Sequence, residues 1–159
     1  LATPLKQWQL MLSLVCARLV IIIIQVIILT LLGKLVFHAT FAGNILSILI
    51  LVLLGGGIFL LIGLLISNYA KSYDSAAPIT SAIGLPLPFL SSVFYPLDFL
   101  PTALQKIAKI LPMTYLADGL RQAYLYPFNF QKIGFDILVL AICLIAILAL
   151  TLSLFRLKE

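Results

Sequence analysis

LVIIIIQVIILTLLGKLVF, residues 19–37, carries its one charge, Lys34, close to its end. As a helix rising 1.5 Å per residue it is about 28 Å long, close to the roughly 30 Å of a bilayer's hydrocarbon core. The Lys34 stem can lie along such a helix while its ammonium reaches the headgroups. An ionised side chain at mid-bilayer costs about 2.5–3.5 kcal/mol on insertion scales, so uncharged intervals mark where a chain can cross. Outward from residues 19–37, the same reading predicts crossings at 45–67, 78–96 and 136–155. The polar stretch 38–44, from His38 to Asn44, separates the first two. The third contains Pro78, Gly84, Pro86, Pro88 and Pro96, and interior prolines remove backbone bonds and crowd the preceding turn, so it is expected to be kinked. The last is closed by Arg156, Lys158 and Glu159. The fold class is therefore an all-α integral membrane protein, with residues 1–159 as a single transmembrane domain and both ends on one side.

Composition agrees. Of 159 residues, 64% are hydrophobic and 9% charged, against roughly 45–50% and 25% in an average soluble domain. So few charges cannot cover a water-soluble surface. The net charge of +5 comes from basic residues scattered singly, not from the stripe or cluster that tracks phosphates, so nucleic acid is not an expected partner. Membrane lipid is. Cys16 and Cys143 lie far apart in apolar surroundings and form neither a metal spacing nor a disulfide framework. The chain begins at Leu1 and reads as part of a longer protein, not as a signal peptide followed by a domain.

Three segments flank the spans. In residues 3–17, Thr3 is placed to cap a helix and Pro4 to occupy its first position. On that helix Lys6, Gln9 and Ser13 share a polar arc, and Leu5, Trp8, Leu12 and Val15 an apolar face, which predicts a surface helix leading into the first span. Between residues 100 and 126, Leu104, Ile107, Ala108 and Leu111 stack opposite Thr102, Gln105, Lys106 and Lys109. After Pro112, Leu116, Leu120, Ala123 and Tyr124 stack opposite Asp118, Arg121 and Gln122. Two short amphipathic, re-entrant helices are expected there. Asp118 and Arg121, three apart, read as a modest surface pair.

Catalytic chemistry is missing. The single histidine, His38, rules out a His–Glu–His zinc motif, and there is no Gly-x-Ser-x-Gly elbow. Asp74, Asp98, Asp118 and Asp136 all fall at predicted span ends or outside, so the reading provides no intramembrane charge for ion coupling and no carboxylate pair for proteolysis. Gly55-Gly56-Gly57 lies mid-span without a following Lys-Ser/Thr, and is read as close helix packing through the face shared by Gly56 and Gly63, with a hinge as the alternative. Gln25 and Thr30 in the first span, and Thr80, Ser81, Ser91 and Ser92 in the third, are the main polar groups at depth. Pro86 and Pro88 with Gln25, Ser91 and Ser92 are candidates for a pathway wall or gate; the structural alternative for the prolines and serines is a static kink.

The run LSSVFYPLDFLP, residues 90–101, followed by ILPMTYLADGLR, residues 110–121, resembles the signature of type-2 ABC-exporter permeases. Phe94, Pro96, Pro101, Pro112, Tyr115 and Arg121 carry the likeness, and Ser92 stands where glycine is frequent. The resemblance implies that residues 3–17 are a cytoplasmic coupling helix, that the four spans correspond to the family's third to sixth, and that residues 100–126 lie outside the cell. It also breaks a tie in the charge distribution, because Lys6, Arg18, Lys71, Arg156 and Lys158 on one side match Lys34, Lys106, Lys109, Arg121 and Lys132 on the other. It further implies a multi-pass protein of the cytoplasmic membrane with no ATPase site or cofactor of its own, ATP being bound by a partner ABC ATPase subunit, and a second permease copy or paralogue as dimer partner. Thr3, Pro4, Lys6, Trp8, Gln9, Lys71 and Asp74 would then receive the ATPase movement. The expected function is export of an amphipathic, drug-like or lipid-like compound, with a non-transporting scaffold subunit as the alternative.

Overall fold

The computed structural model describes residues 7–38, 43–69, 73–126 and 130–156, with side chains at 13–38, 43–67, 76–126 and 133–154. It divides into two units, Leu1–Phe41 and Ala42–Glu159.

The first unit is one helix, α1, Gln7–Val36, of 30 residues. At 1.5 Å per residue it is about 45 Å long, more than a hydrocarbon core requires. The expected boundary between a surface helix over 3–17 and a span over 19–37 is not found: the backbone is helical straight through Arg18. No proline or glycine lies between Gln7 and Leu32 to interrupt the hydrogen-bond ladder. After Val36 the chain turns out of the helix, and His38 takes a left-handed backbone with φ of 49°, a frequent way to end a helix. Gln25 is exposed on α1, and the Thr30 hydroxyl donates to the Val26 carbonyl at 2.7 Å.

In the second unit, α2 (Ile45–Tyr69), α6 (Pro112–Leu125) and α7 (Phe130–Arg156) pack pairwise against one another. Asn44 starts α2, its Oδ1 accepting from the Leu46 amide at 2.8 Å, as an N-cap residue does. Leu51, Ile58, Ala123, Ile133 and Leu140 are buried in this three-helix core. Helices α2 and α6 run antiparallel: the Asn44 amide donates to the Ala123 carbonyl at 3.2 Å, Leu51 faces Gly119, and Gly55 faces Leu116. From Asn44 to Gly55 is about 16 Å of helix, so α6 lies along roughly half the length a span needs.

The glycine packing expected at Gly63 is not found there; close neighbours lie at Gly55 and Gly57. A methyl group at Gly55 would meet Leu116 Cδ2 at 2.5 Å, and one at Gly57 would meet Leu144 Cδ1 at 3.1 Å, whereas Gly63 has nothing within 4 Å. The glycine run therefore admits two neighbours at once, α6 at Gly55 and α7 at Gly57. Positions two apart on a helix point in different directions, which a one-face reading of the run did not allow for.

Among the described residues, three helical stretches are long and apolar enough to cross a membrane: Ser13–Val36, Ile45–Ser67 and Ile133–Leu154. Residues 78–96 do not form a fourth such helix. That part of the chain folds as α3 (Tyr73–Gly84), a turn at Leu85, and α4 (Pro86–Leu90), followed by turns through Tyr95. Its apolar helical part, Ala76–Leu90, is shorter than the other three. A 3-10 turn, Leu97–Phe99, and α5 (Thr102–Ala108) connect it to α6.

Candidate functional site

The signature segment is built around helix starts. Pro86 opens α4 and Pro112 opens α6, where a missing amide hydrogen costs nothing. Pro96 (φ −54°, ψ 142°) and Pro101 (φ −54°, ψ 146°) stand one residue before the 3-10 turn and α5, in the extended geometry from which a helix begins. The spacing of Pro96, Pro101 and Pro112 thus records three successive changes of direction.

Pro86 and Pro88 leave the carbonyls one turn earlier without their usual donors. Around them the ladder is kept by Leu85, whose amide donates to the Ser81 carbonyl at 3.0 Å, and by Ser91, whose amide donates to Leu87 at 3.0 Å. Pro86 is exposed and Pro88 half-buried. Beyond α4, Phe94 stacks on Phe89 with ring centroids 5.1 Å apart, folding the turn back on the helix.

Ser91 and Ser92 are both buried but act differently. The Ser91 hydroxyl stays local, donating to the Pro88 carbonyl at 3.2 Å. The Ser92 hydroxyl crosses to α6 and donates to Asp118 Oδ1 at 2.7 Å, with the Thr114 carbonyl at 3.4 Å. Arg121 completes the tie: its Nη2 donates to the Ser92 carbonyl at 2.7 Å and its Nη1 lies 3.3 Å from Asp118 Oδ1. The turn after α4 is therefore fixed to α6 by three polar contacts, two of them charge-assisted and short. Asp118 and Arg121 are thus more than a surface pair.

The same helix is anchored at its start. The Thr114 hydroxyl donates to the Ala108 carbonyl at 2.7 Å, joining α6 to the end of α5, and the Tyr115 hydroxyl donates to the Lys109 carbonyl at 2.7 Å. The Tyr115 ring meets Phe135 of α7 edge-on at 6.0 Å. Thr114, Asp118 and Arg121 repeat at helical spacing, so their shared side of α6 was visible in the sequence; their partner Ser92 was not.

Asp136, one turn after the start of the Ile133–Leu154 stretch, is 7% exposed, and Gln122 Nε2 points at its Oδ2 from 3.4 Å. Among the proposed coupling residues, Thr3, Pro4, Lys6 and Lys71 lie outside the described residues. Trp8 and Gln9 fall on α1 and Asp74 on α3 by backbone, with their side chains outside the described ones. Of the sequence-predicted site residues the structure brings Ser92 and Arg121 together; Gln25 belongs to the other unit.

A proline-punctuated segment is thus tied to a half-length helix that packs against two apolar helices of spanning length. The sequence profile described as "ABC-2 type transporter" matches residues 1–125. The chain belongs to the ABC-2 type transporter family. Its relatives include the "Inner membrane transport permease YadH" of Escherichia coli K12, 34% identical over 68 residues, which are 43% of this chain and 27% of that protein. "Nodulation protein J" of Rhizobium leguminosarum bv. viciae is 34% identical over 67 residues, 42% of this chain and 26% of that protein. The match spans only about a quarter of the length of these curated relatives. No solved structure matches the chain. As an ABC-2 sequence with three helices of spanning length, the chain is a multi-pass membrane protein.

Proposed function

We propose that this chain is the permease part of an ABC exporter of the cytoplasmic membrane, driven by a separate ATPase subunit and working as a dimer with a second copy or a paralogue. The observation that carries this reading is the family match over residues 1–125, together with the ordered tie between the Ser91-Ser92 turn and α6. YadH is named as an inner membrane transport permease, in keeping with that location and activity. The expected cargo is amphipathic, drug-like or lipid-like, because the helices offer exposed apolar surface and few charges to a passing compound. ATP belongs to the partner, and this chain supplies the path.

In this reading Thr3, Pro4, Lys6, Trp8 and Gln9, with Lys71 and Asp74, meet the ATPase. Pro86, Pro88, Ser91 and Ser92 form the gate, and Gln25 faces the path. The test is the full permease co-purified with its ATPase and reconstituted in vesicles, with a panel of hydrophobic cations and glycolipids as cargo. Lys6→Ala with Trp8→Ala is expected to abolish substrate-stimulated ATP hydrolysis while leaving the basal rate of the ATPase in place; unchanged stimulation would remove these residues from the coupling surface. A stable complex without any ATPase would instead favour a scaffold.

The gate is tested in the same vesicles. Pro86→Ala with Pro88→Ala restores two backbone donors and straightens the segment. Transport is expected to fall at least tenfold at equal expression, and full transport would leave the prolines as a static kink.

A further inference from the structure

Where α2, α6 and α7 pack, Gln122 meets Asp136, and Ser47 is buried on α2 without bonding to either. Ser47 is fully buried on α2, between Asn44, which bonds to Ala123, and Leu51, which faces Gly119. Gln122 lies on the stretch of α6 between those two contacts, and Asp136 approaches Gly119 from α7, its Cβ 3.4 Å from where a Gly119 methyl would be. The hydroxyls of Thr30, Thr80 and Thr151 fold back on the carbonyl four residues before. The Ser47 hydroxyl does not, and both it and Gln122 Oε1 are buried without a hydrogen-bond partner.

These orphaned atoms bear on the state of Asp136. Gln122 Oε1 can only accept, and an ionised carboxylate can only accept. Gln122 donates through Nε2 to Asp136 Oδ2, so with Asp136 ionised the amide oxygen beside it faces no donor, and a charge is buried within the Ile133–Leu154 stretch. Such a charge is expensive without a partner. A protonated Asp136 removes both penalties: its hydroxyl donates to Gln122 Oε1 while Gln122 Nε2 donates to the other carboxyl oxygen, closing a paired acid–amide contact.

We propose that Asp136 is a proton-binding site, whose protonated carboxyl clasps Gln122 and holds α6 to α7, and whose deprotonation loosens that hold. The surroundings favour this assignment. Helix α2 presents Ser47 and Leu51, neither of which titrates. On α6, Asp118 is close enough to act on Asp136 electrostatically and has the same sign, while Arg121 is engaged by Asp118 and the Ser92 carbonyl. Tyr115 and Tyr124 are the other titratable groups on α6, and the Tyr115 hydroxyl is spent on Lys109. On α7, Lys132 stands one turn before Asp136, its side chain outside the described ones. The inference does not depend on the chain being an exporter.

The experiment is infrared spectroscopy of the full-length permease in lipid nanodiscs, with thermal unfolding on the same samples. A protonated-carboxyl band is expected at mildly acidic pH, absent in Asp136→Asn and shifted in Gln122→Leu. The unfolding midpoint of the wild type should drop as the pH is raised from the acidic range to neutrality. Asp136→Asn, whose amide offers Gln122 the same donor and acceptor, should hold its midpoint across that range. Absence of the band at mildly acidic pH, or its persistence in Asp136→Asn, overturns the proposal. So does a band that arises only in Lys132→Met, which would mean an ion pair, or a midpoint that is sensitive to Ser47→Ala but loses none of its pH dependence in Asp136→Asn.

Discussion

Gly43→Ala is expected to lower stability by about 3 kcal/mol, the upper end of the usual cost of overpacking. The added methyl would run into the Ala123 carbonyl and also approach Tyr124 Cα at 2.9 Å. These are backbone atoms, which cannot rotate away. The clash also displaces the neighbouring Asn44 amide from the same carbonyl, breaking the bond that joins the start of α2 to the end of α6. Gly55→Ala provides the comparison. Its methyl would meet the Leu116 side chain, which can change rotamer, so its loss should be clearly smaller. Thermal unfolding of the purified protein in detergent measures both; equal losses would show that α6 moves as freely as a side chain.

Asp118→Ala is expected to cost about 1–3 kcal/mol and Ser92→Ala closer to 1 kcal/mol, although both delete the same 2.7 Å hydrogen bond. The difference lies in what is left behind. Removing Asp118 leaves the buried Ser92 hydroxyl only its long contact with the Thr114 carbonyl and takes the counter-charge from Arg121, whereas removing Ser92 leaves Asp118 half-exposed and still beside Arg121. Arg121→Lys should resemble Arg121→Ala, because one ammonium cannot bridge both the Ser92 carbonyl and Asp118 in the geometry of the guanidinium fork. A double-mutant cycle between Ser92 and Asp118 isolates the pair, and a coupling near zero would reduce the tie to incidental contact.

Particular elements show why the sequence was legible in some places and not in others. The stretches near residues 45–67 and 136–155 could be read because the cost of a buried charge acts locally, on each residue. The run from Gln7 to Val36 could not be divided from sequence: amphipathicity before Arg18 and apolarity after it are both compatible with one unbroken helix. Residues 78–96 were expected to be kinked, since proline acts through its own ring, but that the helical part ends at Leu90, with the Leu85 and Ser91 amides keeping its ladder, is seen only in the fold.

The candidate site divides in the same way. The prolines at 96, 101 and 112 and the shared side of Thr114, Asp118 and Arg121 follow from local geometry and spacing. That Ser92 and not Ser91 reaches Asp118, and that Gly55 and Gly57 receive neighbours while Gly63 does not, are long-range facts. Hydropathy and proline chemistry alone determined that this chain is helical, crosses a membrane more than once and does not carry one straight helix through residues 78–96. Only the packing of α6 between α2 and α7 decided that Asp136 is buried beside an amide and that a signature arginine holds a turn in place, because pairings between residues far apart in sequence arise only when helices come together.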